Sequence, residues 1–499
     1  MTAGIDLVLD HSDAELLAEL IHVWQWKRPR NLTRSVYYNG KAALKDFGIS
    51  LPPQMRSIDA ALGWTAKGVH ALTDRSEFQG FVSSDGNDDP FGVDSIAWDN
   101  NFLMEFPAAK VSSAVHGCSF LTVSSGDVQS GEPEILVLAR SADSSAALWD
   151  PRRRALRGFL SIVDFNRVGQ NTRAGGQNLR MEGEIARMVM YTPEKVVTLT
   201  RQGGAWRRGW KAEVRRNPLG VVSVAPLAHN FELSRPLGHS RITRASMGYV
   251  DSAIRTIVRS EVSAEFYSAP EYYLFGAKVE DFIGDDRWTA LMGRIKALDV
   301  EDGEDKPDLH RFTGSSPQPH TDQLRMWANL FSDDQDLEVK FADNSNPTSA
   351  EAIFAGKETL IMSTRAANRV WGQGAERAMQ LAVMLRDGLT SVPVEMRSLQ
   401  AQFTKPELVS PTARADAFSK LAVSIEGFGA TEVGMEYAGL DHGQIVRLLA
   451  ERRRMQAGDR LSSLVAAAQS IRQGVTDGNR SASVGIPVEQ PSTSGVSAA

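Results

Sequence analysis

The stretch "DNSNPTSAEAIFAG", residues 343–356, decides the fold because a polar loop runs there into an unusually long helical pattern. Asn346 suits the N-cap position, since its side-chain oxygen can accept a backbone N–H of the first turn. Pro347 is preset for the first helical position, where the missing N–H would have no helical partner anyway. A sharp, well-capped start of this kind holds the preceding loop at a defined place.

The pattern after Pro347 predicts one helix, which we place at residues 349–395. Apolar or small residues recur every seven positions, at Ile353, Leu360, Ala367, Gly374 and Leu381. A second row stands four positions further on, at Thr364, Trp371, Ala378 and Leu385. About forty residues form a rod on the order of 60 Å long, which favours a spine that links separate parts. Gly372 and Gly374 mark the expected place of a bend.

Length and composition indicate a globular protein of about three folding units, since 499 residues exceed what one core accommodates. The hydrophobic fraction of 42% is ordinary, and no apolar run is long enough to span a bilayer. The N-terminus lacks a signal-peptide pattern, and a single cysteine excludes an internal disulfide. The net charge of −6 argues against tight binding of DNA phosphates, because proteins that do this are usually basic.

The first half of the chain combines helices with a region of short strands. Ser12 and Glu15 have the spacing of a capping box, which predicts a helix start. The apolar face of this helix consists of Leu16, Leu17, Leu20, Ile21 and Trp24. Further helices are predicted at about residues 58–72 and 102–114. From 120 to 224, short β-branched and aromatic segments between turn residues predict antiparallel strands.

Helical periodicity returns at Arg244 and predicts a helix over residues 244–266. A small mixed segment follows, in which "EYYLFGA" and "HRFTG" are predicted strands. Pro319 then suits the first turn of another helix, whose apolar face is Leu324, Trp327, Ala328 and Phe331. The last helices are predicted at residues 413–425 and 444–471. Beyond residue 474 the chain contains no Leu, Phe, Trp or Tyr, which predicts disorder.

No motif predicts catalysis, a cofactor or a metal site. His116 and Cys118 could form a base and a thiol nucleophile, but no third orienting group is evident, so packing is favoured. "GQG" at residues 372–374 and "GFGATEVG" at residues 427–434 lack the context of phosphate loops, which favours a helix bend and a helix cap. The histidines show no metal-binding spacing, and the acidic run 333–338 lacks a calcium-loop pattern, which favours a solvated loop.

Two basic clusters leave two interpretations open. They are "PRRRALR" at residues 151–157 and "WRRGWKAEVRR" at residues 206–216, where Trp206 and Trp210 are interleaved. Arginines beside exposed aromatic rings could hold single-stranded nucleic acid by charge and stacking. On strands with alternating faces, the same residues would form a solvated surface or a subunit contact, and we favour this second interpretation.

Several segments of the chain carry a family likeness. The N-terminal part has "YYNG", then "PPQMR", then a tryptophan-containing helix that leads to "GF", and later "AVHGCSFLTV". "SAPEYYLFGA" follows the helix that begins at Arg244. The most specific part is "SSPQPHTDQLRMWANLF" together with "DNSNPTSAEAI". Over about residues 37–388 the chain resembles the portal proteins of tailed double-stranded DNA bacteriophages, in particular the branch common in phages of actinobacteria.

This resemblance implies an α+β phage portal fold that closes into a ring, typically of twelve subunits. The first implied segments are a wing at 1–240 with its β-rich part at about 120–224, stem helix 1 at 241–268 and a small α/β clip at 269–317. The remaining ones are stem helix 2 at 318–338, a tunnel loop at 339–348, the long wing or spine helix at 349–395, a helical crown at 396–473 and a disordered tail at 474–499.

The resemblance also implies a function without enzymatic activity, cofactor or metal. The ring would lie at one capsid vertex as the conduit for DNA packaging and ejection. Implied partners are other copies of the chain, double-stranded DNA, the large terminase subunit, a head–tail connector or adaptor, the major capsid protein and the scaffold, with no membrane. The protein would be in the host cytoplasm during assembly and then in the virion. The alternative is a head–tail adaptor ring that does not contact the motor.

The expected channel residues belong to the tunnel loop. They are Lys340, Asp343, Asn344 and Asn346, and the expected loop anchor is Asn346, Pro347 and Ser349. Acidic or neutral walls keep phosphates from sticking, as a conduit requires, whereas clustered arginines would slow release. Lys340 departs from this pattern and could either touch the DNA backbone or pair with Asp343.

Overall fold

The structure is a computed structural model. It describes residues 9–41, 60–83, 89–167, 183–202, 209–268, 271–275, 295–298, 308–312, 318–337, 350–407 and 411–481. The chain divides into two compact units, Met1–Glu407 and Leu408–Ala499. Within the described ranges, no helix is both long enough and apolar enough to cross a membrane.

The first part of unit 1 is mainly helical, and the second part consists of strands. The helices are α1 (His11–Tyr38), α2 (Trp64–Thr73), α3 (Val93–Asp99) and α4 (Phe102–His116). Strand β1 (Phe78–Ser83) lies between α2 and α3. The next strands are β2 (Cys118–Ser125), β3 (Ile135–Ser141), β4 (Ser145–Asp150), β5 (Ala155–Arg167), β6 (Gly183–Tyr191), β7 (Lys195–Gln202), β8 (Gly209–Arg216) and β9 (Val224–Ala228). The predicted strand region at residues 120–224 is confirmed.

These strands form two antiparallel sheets. One sheet has five strands in the order β4-β5-β6-β7-β8, and the other has three in the order β3-β2-β9. Helix α1 covers the five-stranded sheet with the predicted apolar face, of which Leu17, Leu20, Ile21 and Trp24 are buried. Burial of side chains this size is worth about 2 kcal/mol each, so α1 is held by packing more than by helix propensity.

Two antiparallel helices, α5 (Arg244–Ser268) and α6 (Gln318–Asp334), confirm the predicted helix pair. Thr243, just before α5, hydrogen-bonds Asp334 at the end of α6. Further along, Tyr249 stacks on Trp327 with ring centroids 6.4 Å apart. Between the helices lie β10 (Glu271–Phe275), β11 (Ile295–Leu298) and β12 (Asp308–Phe312). Strand β10 is central, with β11 parallel and β12 antiparallel to it, and the two predicted strands are confirmed.

Helix α7 (Ala350–Arg386) is the predicted long helix, although it ends before residue 395. The physical reason is Gly388, whose φ of 67° places it in the left-handed region and lets Leu389 N–H close back on Met384 O at 2.8 Å. Helix α7 passes through the main core, where Trp371 is fully buried and its indole N–H donates to Ser113 Oγ at 3.1 Å.

Three boundaries differ from expectation. Ser12 and Glu15 do not form a capping box, because α1 begins at His11 with Asp10 as its N-cap, two residues before Ser12. Asp10 and Asp13 contact Lys195 of β7. Helix α2 begins only at Trp64, after Gly63. Strand β13 (Leu399–Phe403) lies in the stretch expected to form the helical crown, and it pairs with β1. This pairing joins segments about 320 positions apart, which no local pattern reveals.

Unit 2 consists of α8 (Pro411–Ser424), α9 (Glu432–Ala438) and α10 (His442–Ser481). Phe428 makes ring contacts with Phe418 and Tyr437 at 6.2 and 6.1 Å, and Met435 and Ile445 are buried. Helix α10 runs to Ser481, eight residues into the predicted disordered tail, since backbone hydrogen bonds within a helix do not require apolar side chains. Residues 482–499 lie outside the described part of the chain.

Candidate functional site

The predicted channel and anchor residues fall between the last described residue after α6 and the first residue of α7. Lys340, Asp343, Asn344, Asn346, Pro347 and Ser349 all lie outside the described residues. The site is therefore built from its two ends, which are residues 335–337 and the body of α7. We call Arg241, Thr243, Asp334, Gln335, Asp336 and Ser363 the helix junction, because they join these ends to α5.

Helix α6 ends in a Schellman motif that turns the chain sharply. Leu337 N–H donates to Ser332 O at 2.7 Å, and Asp336 N–H donates to Asp333 O at 3.3 Å. Asp336 occupies the left-handed position of this motif with φ of 51°, a conformation that L-residues other than Asn and Asp rarely adopt. The direction in which the chain leaves α6 is thus set by local backbone geometry.

Arg241 and Gln335 bond to each other in both directions at the centre of the helix junction. The Arg241 guanidinium donates from Nη2 to Gln335 O and from Nε to Gly68 O at 2.8 Å. The Gln335 amide in turn donates from Nε2 to Arg241 O at 3.0 Å. Both side chains are buried, and burial lowers the pKa of Arg241 while Asp336 and Asp334 oppose that shift. Buried polar groups that are hydrogen-bonded to each other in this way stabilise a single packing arrangement of the two segments.

Two carboxylates of the acidic run have structural partners. Asp334 accepts hydrogen bonds from Thr243 Oγ1 at 3.0 Å and from Gln335 Nε2 at 2.8 Å. Asp336 accepts one from Ser363 Oγ on α7, also at 2.8 Å. The prediction of a wholly solvated loop at residues 333–338 is wrong for these two residues, because each contacts an element far away in sequence. The helix junction thereby ties α6 to both α5 and α7.

Packing around the helix junction leaves no room for larger side chains. A Cβ on Gly68 would lie 2.7 Å from Gln335 Oε1, so a larger residue at this position of α2 would make the Gln335 amide shift. Trp64, at the start of α2, contacts the Phe331 ring with centroids 5.6 Å apart. Four elements, α2, α5, α6 and α7, therefore fix the point from which residues 338–349 depart. The sequence did not predict this anchor, although Phe331 and Gln335 are four positions apart and four-residue spacing places two side chains on one face of a helix.

Helix α7 packs closely against the three-stranded sheet at Gly374. A Cβ there would come within 2.5 Å of Leu227 Cδ2 and 2.7 Å of Pro226 O in β9. Gly372 faces Phe403 and Ala401 of β13. The two glycines therefore have a packing role that the helix-bend interpretation did not include, and the bend itself stays a prediction.

The basic clusters lie on the five-stranded sheet and its turns. Arg152 and Arg153 are exposed in the β4–β5 turn, where the Asp150 carboxylate accepts both of their backbone N–H groups. Arg157 pairs with Glu19 of α1. Trp210 is partly buried against the core under α1, which leaves less of its ring for base stacking and favours the surface-or-contact interpretation. Trp206 lies outside the described residues.

Cys118 is not placed for nucleophilic chemistry. Burial raises the pKa of its thiol to about 12, so the thiolate is scarce near neutral pH. His116 instead directs Nε2 to Asp143 Oδ2 at 3.1 Å, and Ser35 donates to the same oxygen. This geometry confirms the packing interpretation of the His116–Cys118 pair.

The remaining motifs have structural explanations. Thr431 caps α9 by accepting Gly434 N–H at 3.1 Å, which confirms the helix-cap interpretation of "GFGATEVG". Among the described residues, no group of three or more His, Cys, Asp or Glu side chains could hold a metal ion.

Comparison with known proteins gives the family. The family described as "Phage portal protein, SPP1 Gp6-like" matches residues 17–431. The chain belongs to this family. Two relatives described as "Portal protein" are similar along nearly their whole length. The one from Mycobacterium phage D29 is 28% identical over 458 residues, covering 88% of this chain and 87% of its own. The one from Mycobacterium phage L5 is 27% identical over 469 residues, covering 91% and 90%.

A solved structure, "Neck of native GTA particle computed with C12 symmetry", is also similar. The identity is 12% and the TM-score 0.39, over 82% of this chain and 98% of the solved one.

Portal family membership confirms the resemblance drawn from the sequence, including its link to phages of actinobacteria. The mixed helix-and-sheet architecture agrees with the expected portal fold. The protein is accordingly a structural component of the phage portal and not an enzyme.

Proposed function

We propose that copies of this chain close into a ring at one capsid vertex, and that residues 338–349 border its channel. The observation that carries the proposal is the helix junction. It fixes the departure point of this segment by buried hydrogen bonds from α2, α5, α6 and α7. A segment held at a fixed point in every subunit becomes a constriction when a rotation axis repeats it.

The channel residues keep their expected roles in this proposal. Lys340, Asp343, Asn344 and Asn346 face the DNA. Asn346, Pro347 and Ser349 anchor the segment on α7. The helix junction holds the other end of the segment, next to residue 338, and this supports the proposed place of the segment at the channel. A mixed, weakly charged rim lets phosphates pass without strong counterion release, whereas a rim of arginines would bind DNA tightly.

The ring needs partner proteins to drive the DNA, to attach the tail and to hold the ring in the capsid. The large terminase subunit hydrolyses ATP and drives DNA through the channel, and a head–tail connector or adaptor docks after packaging. The major capsid protein and the scaffold hold the ring at the vertex. Subunits assemble in the host cytoplasm, typically twelve to a ring, and remain in the virion.

Native mass spectrometry and negative-stain images of the purified chain test the ring. We expect a closed ring of about twelve subunits viewed down its axis. A monomer that persists at high protein concentration would contradict the proposal. Pull-down with the large terminase subunit then separates a portal from an adaptor ring, since only the portal retains the motor.

A further inference from the structure

One exposed apolar patch of unit 1 carries positive charge. Trp26 on α1 and Leu233 on the loop between β9 and α5 are 66% and 93% exposed. The Lys27 ammonium on α1 lies 4.1 Å from the centre of the Trp26 ring, and it is electrostatically close to Arg30 on α1 and to Arg235 on the same loop as Leu233. We call these five residues the cationic patch.

The cations of this patch have no acidic partners of their own. Among the described residues, no carboxylate lies within ion-pair distance of Lys27, Arg30 or Arg235. Glu232, the neighbour of Leu233 in the chain, contacts His239, and Asp143 contacts His116. Burial first, and then Arg30 and Arg235, lower the pKa of Lys27, so the positive charges are close enough to repel one another. An incoming anionic surface would relieve this repulsion.

A second exposed apolar patch carries negative charge. Trp98 on α3 is 80% exposed, and Leu103 and Met104 on the first turn of α4 are exposed beside it. Asp94 and Asp99 on α3 flank these side chains. We call these five residues the acidic patch.

The two patches lie at opposite ends of helix α4. Trp98 and Asp99 directly precede α4, whose backbone begins with Asn101 N–H bonded to Trp98 O. At the other end, Arg34 of α1 donates to His116 O at 2.7 Å, and His229 N–H donates to Gly117 O at 2.9 Å. The cationic patch is built on these same two elements. A helix of 15 residues separates the patches by about 22 Å.

We propose that the cationic patch of one subunit docks on the acidic patch of the next, forming the head-to-tail interface of the ring. This inference rests on the proposed ring and names the surfaces that close it. Each patch is an apolar centre flanked by charges of one sign, as interaction sites commonly are. Two different patches at separate ends of a rigid helix make a heterologous contact, which is the type that generates rings.

Charge reversal provides the test with the full-length chain. The first variant carries Lys27→Glu and Arg30→Glu, and the second carries Asp94→Lys and Asp99→Lys. Each alone opposes like charges at every interface, so the concentration for half-assembly should rise about tenfold or more. An equimolar mixture should regain wild-type assembly, because alternating subunits then pair opposite charges at both kinds of contact. Mass photometry measures all three samples.

A matched control reverses the same number of charges elsewhere. Arg454→Glu with Arg460→Glu alters the exposed surface of α10 and should leave assembly unchanged, and circular dichroism checks that every variant is folded. Normal assembly by either patch variant, or a mixture that stays monomeric, would overturn the proposed interface. So would a Lys27/Arg30 variant that assembles normally but loses affinity for double-stranded DNA, since the patch would then be a DNA surface. A wild-type chain that forms no ring would instead refute the proposed function.

Discussion

Arg241 and Gln335 hydrogen-bond to each other in both directions, although 94 positions separate them in the chain. Through this pair the start of α5 and the end of α6 are fixed together at the base of the helix pair. Replacing Gln335 by Leu keeps the backbone carbonyl that accepts from the guanidinium, but it leaves Arg241 O without its donor in a buried site and removes one hydrogen bond from Asp334. We expect a loss of about 2 kcal/mol in the free energy of unfolding. Urea unfolding measures it, and Gln318→Ala on the exposed start of α6 is the control that should change little.

The left-handed conformation of Asp336 gives a second prediction. Asp336→Asn keeps both the tolerance for positive φ and an acceptor for Ser363, so stability should change by less than about 0.5 kcal/mol. Asp336→Val introduces a β-branched residue into the same conformation and removes the acceptor, which should cost about 2 kcal/mol or more. Ser363→Ala measures the hydrogen bond alone. Equal stability of the Asn and Val variants would contradict the assigned strain.

Lys110 makes stability depend on alkaline pH. Its ammonium group is fully buried, donates to Ser76 and lies near the rings of Phe106, Trp371 and Phe403. Burial lowers the pKa of Lys110 to about 8, below its ordinary value of 10.5. Between these values the unfolded chain binds more protons than the folded chain, so this group adds stability as pH rises.

Comparison with Lys110→Met isolates that contribution. From pH 8 to 10.5 the wild type should gain about 3 kcal/mol relative to the variant. Urea unfolding of both proteins at several pH values measures the difference. A difference that is constant with pH would show that the folded-state pKa of Lys110 is not lowered.

His229 makes stability depend on acid pH. Its imidazole is buried, and its Nδ1–H donates to His239 O at 2.8 Å, which fixes the tautomer of the neutral ring. Burial lowers the pKa of His229 to about 4, so between that value and 6.5 the unfolded chain takes up the extra proton. We expect stability to fall as pH drops through this window, and His229→Gln should reduce the slope. An unchanged slope would contradict the assignment.

Pro347 tests the anchor on the far side of the segment 338–349. Pro347→Gly should leave rings assembled, because the proposed subunit interface uses other surfaces, but it should loosen the start of α7 and impair DNA packaging or retention. A plaque and DNA-retention assay with complemented phage measures the effect. Pro319→Gly, in the first turn of α6, is the matched control, and normal packaging by Pro347→Gly would count against the channel role.

Periodicity and turn chemistry in the sequence determined the elements of this protein. The apolar rows at Leu360 and Trp371 predicted the long helix, and the pattern after Arg244 predicted α5 within two residues of its end. These features are local, because a helix is stabilised by neighbours three and four positions away. The distinctive segments also sufficed to indicate the portal family.

Only the tertiary structure decided which of these elements meet. The pairing of β13 with β1, the bond between Arg241 and Gln335, and the tie from Asp336 to Ser363 join residues far apart in the chain. The same is true of the Lys195 contacts that replace the expected capping box. A hydrogen bond between distant residues leaves no period in the sequence, because each partner alone looks like an ordinary polar residue. The fold places them together, and their burial gives the contact its energy.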